Sequence, residues 1–148
     1  MLARQVAWAS VRPEDAKGKK AELCRMEQIE LDGGTLEMPE LSMPYLWAYL
    51  QDVGLCERGD MGPRPLSSTE LQAWAKGSGL QLDAWEFRAL RKASRAFVAQ
   101  LGSDDTQPPY GDPETLADPD VVEQRMAQIL DSLAKPVEKK NADRNSDD

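Results

Sequence analysis

Apolar residues recur at helical spacing in three consecutive stretches in the middle of the chain, residues 43–101. Leu46, Trp47, Leu50 and Val53 follow steps of three and four. They predict a helix from Ser42 through Val53, with Ser42 as cap, Pro44 in the first turn and Gly54 as the stop. Leu71, Trp74 and Ala75 predict a second helix, opened by Ser67 and Glu70 at capping-box spacing and ended by Gly77 and Gly79. Phe87, Leu90, Ser94, Phe97, Val98 and Leu101 predict a third, begun by Asp83 and Glu86 and closed by Gly102. Both phenylalanines and Trp47, Trp74 and Trp85 lie here, and such side chains supply much of a small core, so these tryptophans are expected inside it. Trp8 has no clear amphipathic setting and is read as a contact residue. Between the first two helices, residues 54–65 hold three glycines and two prolines and predict an irregular loop, with Met61 plugged into the core.

The flanks are patterned differently. Leu2, Val6 and Ala9 mark a short helix bearing Trp8, and Pro13-Glu14-Asp15 looks like another helix start. Ile29, Leu31, Leu36 and Met38 alternate with Glu30 and Glu37 around Asp32-Gly33-Gly34, which predicts a β-hairpin over 26–38. Residues 102–118 are acidic and proline-rich and predict an extended linker. A last helix is expected over 119–134, with Val122, Met126, Ile129, Leu130 and Leu133 on one face. Residues 135–148 have the polar, charge-rich composition of disorder. The fold class is therefore mainly α: an N-terminal segment 1–42 with the hairpin, a small three-helix core over 43–101, and a tethered C-terminal helix.

With 148 residues the chain has room for one domain. The three-helix stretch is near the lower limit for a core that folds unaided, so it needs the N-terminal segment or a partner. The formal charge of −8 opposes binding to nucleic acid or to an anionic membrane surface. No apolar run approaches the roughly 20 residues that span a bilayer. The opening MLARQVAWASVRP is a poor signal peptide. These features predict a soluble protein of the cytoplasm, with Cys24 and Cys56 as reduced thiols.

Candidate chemistry is sparse. The absence of histidine excludes Ser-His-Asp and Cys-His nucleophilic sites and histidine-bound metals, and two cysteines cannot build a four-thiolate zinc site. GDMG and GSG lack the spacing and the lysine of a phosphate loop, so no cofactor is expected. Carboxylates are plentiful, and those in the linker and tails are expected to be solvated. Arg58-Gly59-Asp60 spells an adhesion tripeptide, a match short enough to arise by chance.

Two features point to binding. Arg88, Arg91, Lys92 and Arg95 form a basic stripe on the third helix of an acidic chain. It reads as a solvated face whose cations suit the C-terminal half of a helix, as a DNA-reading helix, or as a dock for an acidic segment of the linker or of a partner. Net charge and the long connection from Lys76 to Leu82 oppose the DNA reading. The apolar face of the last helix either docks on its own domain or lies in a partner's groove.

The pieces PYLWAYL, GDMGPRPLSSTELQAWAKGSGL and WEFRALRKASRAFVAQL together resemble the tail assembly chaperones of bacteriophages with long non-contractile tails and of related prophages. The resemblance covers the middle stretch and leaves the termini aside. It implies a non-enzymatic protein that coats the helical tape-measure protein, helps recruit tail-tube subunits and is absent from the finished particle. A longer form made by frameshifting is common in that family. No catalytic or ligand-binding residue carries over. Self-association is a further expected property. The alternatives are a small helical DNA-binding regulator using the basic face of helix 84–101 and a minor structural or connector protein of the tail.

Overall fold

The computed structural model describes residues 1–14 and 18–134; the tail 135–148, expected to be disordered, lies outside the described residues. The described chain is mainly helical, with α1 (Leu2–Ser10), α2 (Arg25–Leu31), α3 (Pro44–Val53), α4 (Ser68–Gly77), α5 (Ala84–Leu101) and α6 (Pro119–Ala134). Strands β1 (Glu57–Gly59) and β2 (Gly62–Arg64) form an antiparallel hairpin, and Pro113–Leu116 forms a 3-10 turn.

The long helix α5 is the element on which the others assemble. Its start packs with α3 and α4 around buried Leu50, Leu66, Leu71 and Leu90, against which Trp47, Trp74 and Phe87 lie. Its end packs against α1, where Ala3 and Ala7 meet Phe97. Those alanines are one helical turn apart on the same face, and their small side chains let the two helix axes approach closely. The N-terminal segment thus supplies the partner that the three-helix stretch needs. A third cluster joins Trp8 and Ala9 of α1 to Ile29 of α2, with Leu36 and Leu116 against it.

The helix boundaries follow local chemistry. The N-cap of α3 is Met43 rather than Ser42, and no side chain caps it. At α4 the Ser67 hydroxyl accepts the Glu70 N–H at 3.1 Å, as the spacing predicts. The reciprocal bond is not made by Glu70, because the Ser67 N–H donates instead to Glu57 Oε1 at 2.6 Å. At α5 the Asp83 N–H donates to Glu86 Oε2 at 2.8 Å. The end of α4 is a Schellman motif: Leu80 N–H donates to Ala75 O, Gly79 N–H donates to Lys76 O, and Gly79 has φ +68°.

Several expectations are corrected. The hairpin is not at 26–38. Arg25–Leu31 is α2, opened where the Cys24 N–H donates to Glu27 Oε2 at 2.7 Å. Asp32-Gly33-Gly34 is not a hairpin turn but a second Schellman stop, with Gly34 N–H on Ile29 O, Gly33 N–H on Glu30 O and φ +69° at Gly33. The hairpin lies in the loop read as irregular. Its glycines flank the turn, Glu57 faces Arg64 across the strands, and Pro63 stands opposite Arg58, where the alternating ladder needs no donor. Met61 sits fully exposed at its tip rather than in the core. Trp8 is not a contact surface: it is 2% exposed, its Nε1–H donates to Asp105 O, and Arg25 stacks on its ring. Trp85, expected in the core, is exposed. Pro13 and Glu14 are not helical, and Glu14 pairs with Lys20 in an isolated bridge.

Candidate functional site

The linker is irregular, and its backbone is fastened along its course. Thr35 N–H donates to Thr115 O at 2.8 Å and Asp118 N–H to Asp32 O at 2.9 Å. Buried Gln5 clamps Tyr110 from both sides: its Nε2 donates to Tyr110 O and to Glu37 O, while its Oε1 accepts the Tyr110 N–H. The acidic segment therefore lies along α1 and α2 and not on the basic stripe of α5.

These bonds deliver the start of α6 to the end of α2. The Arg125 guanidinium pairs with the Asp32 carboxylate, and Val121 closes on Gly33 so tightly that a Cβ there would fall 2.8 Å from Val121 Cγ2. Val121 and Val122 are half-buried. Beyond Arg125 the apolar stripe turns outward. Met126 is 55% exposed, Ile129 47%, Leu130 60% and Leu133 77%. Of the five residues expected on this face, Val122 thus lies at the docked end and the other four form one open row. The helix thus docks by its first turns and leaves Met126, Ile129, Leu130 and Leu133 exposed.

A second apolar surface brings together residues from distant stretches of the chain. A groove of about 400 Å³ runs between the start of α1, the segment 39–43, α3 and α5. Met1, Leu2, Leu41, Met43, Leu46 and Trp47 supply much of its wall. Met1, Leu41 and Met43 are exposed apolar residues outside the helices, and the sequence reading assigned them no role.

On α5, Arg88, Lys92 and Arg95 are exposed and Arg91 is half-buried. None of the four forms an ion pair among the described residues. The α5 start also carries Glu86, whose Oε1 accepts the Tyr45 hydroxyl at 2.8 Å. That bond pushes the Tyr45 phenol up to about 12. Tyr45, Tyr49 and Trp74 form an edge-on aromatic ladder with centroids 5.6 Å apart at each step.

Cys24 and Cys56 are free thiols. Burial pushes the Cys56 thiol up, away from the reactive thiolate. Among the described residues no three His, Cys, Asp or Glu side chains cluster to hold a metal, and no helix is long and apolar enough to cross a membrane. Comparison with known protein families, curated proteins and solved structures finds no match to this chain.

Proposed function

We propose that this chain is a non-catalytic tail assembly chaperone of long non-contractile phage tails, binding the helical tape-measure protein through the open face of α6. One observation supports this reading above the rest: Met126, Ile129, Leu130 and Leu133 project in a row from a helix whose start is seated on Asp32 and Gly33. Large apolar side chains left together on a surface mark an interaction site, and a row at helical spacing suits a client helix of the same kind. The formal charge of −8 keeps such a surface soluble before the client arrives. The apolar groove between the start of α1, α3 and α5 offers room for a tail-tube subunit. In this reading the protein works in the cytoplasm of the infected host and leaves before the particle is complete. The readings as a DNA-binding regulator or as a minor tail or connector protein draw on the exposed α5 cations and on the resemblance alone.

The test is co-expression with a tape-measure fragment that aggregates by itself. The parent chain is expected to keep it soluble, and Met126→Asp with Leu130→Asp to lose most of that effect. Equal protection by the double variant would rule out α6 as the client site.

A further inference from the structure

We infer that the groove between the end of α4 and the start of α5 docks an acidic peptide segment of a partner protein, one that also carries apolar side chains. The inference stands apart from the chaperone reading. The groove holds about 750 Å³. Lys76, Arg88 and Arg91 supply its charge, and Leu80, Leu82 and Phe87 its apolar floor. No Asp or Glu lines it, although the chain as a whole carries −8. The nearest acids in sequence, Asp83 and Glu86, are occupied: the Asp83 carboxylate caps the start of α5, and Glu86 accepts the Tyr45 hydroxyl and the Asp83 N–H. None of the three cations has an ion-pair partner among the described residues.

Arg91 carries the argument furthest. Its Nε is buried and has no hydrogen-bond acceptor among the described residues. A guanidinium presents a planar fork of donors, and covering one of them without an acceptor is unfavourable. A carboxylate arriving in the groove relieves this: the side chain swings outward and gives Nε and one Nη to the two oxygens together. Arg88 and Lys76 hold flanking carboxylates, while a neighbouring apolar side chain settles on Phe87 and the two leucines.

The chain's own acidic linker is not the occupant, because its backbone is bonded to α1 and to residues 32–37. A polyphosphate chain is the poorer fit, since a long polyanion meets the repulsion of the whole acidic molecule and gains nothing from the apolar floor. A short acidic peptide feels mainly the local cations.

Fluorescence anisotropy decides the matter, using the full chain and two labelled synthetic peptides, one of repeating Leu-Glu-Glu and one of repeating Leu-Gln-Gln. The Glu peptide is expected to bind about tenfold more tightly or better, with a preference that shrinks as salt is added. Lys76→Ala with Arg88→Ala removes two exposed side chains outside the core and should abolish the preference. Arg91→Gln should do the same, with circular dichroism confirming that both proteins stay folded. Equal affinity for the two peptides, or an unchanged preference in the folded variants, would overturn the inference. So would duplex DNA binding in place of the Glu peptide and being lost in the same variants.

Discussion

At the scale of single residues, the fold is pinned by buried polar groups that a hydrophobicity pattern treats as interruptions. Ser94 sits on the apolar stripe of α5 and is fully buried. Its hydroxyl accepts Leu66 N–H at 2.9 Å and donates to Leu55 O at 2.8 Å, so one side chain ties both ends of the hairpin loop to the helix. Ser94→Ala leaves a buried N–H and a half-buried carbonyl without that partner. It should cost about 1–3 kcal/mol, read as a lower urea midpoint with an unchanged slope. Glu57 plays the same part with a charge. The Ser67 N–H is the main cause that holds its carboxyl below the ordinary value of 4.5, and Arg64 adds to it. A carboxylate whose folded pKa is depressed contributes stability that is present above its unfolded pKa and is lost as pH falls through the folded one. Glu57→Gln should therefore be less stable than the parent at neutral pH, and the gap should close as pH falls below the usual carboxylate range. Thermal melts of both proteins across that range check it. A gap that widens in acid would contradict the assignment.

At the scale of elements, legibility in the sequence tracked how local the determinants are. The helices α3, α4 and α5 were readable because cap, apolar period and stop lie within one stretch. The sequence of α2 reads as a strand because Ile29 and Leu31 alternate, while the contact that decides the matter, Ile29 on Trp8 and Ala9, comes from a distant segment. The hairpin is hidden in the sequence for the converse reason. Its composition predicts a loop, and what orders it is Glu57 reaching Ser67 and Ser94 gripping Leu55 and Leu66. Of the candidate site, the apolar face of α6 was legible residue by residue, but its division into a docked start and an open end depends on Asp32 and Gly33 far away. Gly33 and Gly79 separate two physical effects at such stops. Both have left-handed backbones, at φ +69° and +68°, but a Cβ at Gly79 meets nothing within 4 Å whereas one at Gly33 overlaps Val121. Gly79→Ala should cost about 1–2 kcal/mol of backbone strain. Gly33→Ala should lose that much and also push α6 off its seat, exposing Arg125 to trypsin in a limited digest. Equal trypsin resistance in the two variants would show that α6 is not held at Gly33.

At the scale of the whole molecule, folding and binding draw on different apolar surfaces. The buried clusters centre on α1 and α5 and include no described residue of α6, whose first turns seat on Asp32 and Gly33. Side chains that stay exposed in the folded chain contribute little to its stability, so a charge placed among them should be nearly silent in unfolding. Met126→Asp with Leu130→Asp is therefore expected to leave the urea midpoint within about 0.5 kcal/mol of the parent while removing protection of the client. That pairing of outcomes separates a binding face from a packing face, since a loss of client protection alone would follow equally from a chain that had partly unfolded. A large fall in the midpoint would mean that the row is covered in solution, by the domain or by a second copy. Sedimentation of the parent at rising concentration tells these apart, because a row covered by a second copy gives a mass that grows with concentration and a row covered by the domain does not.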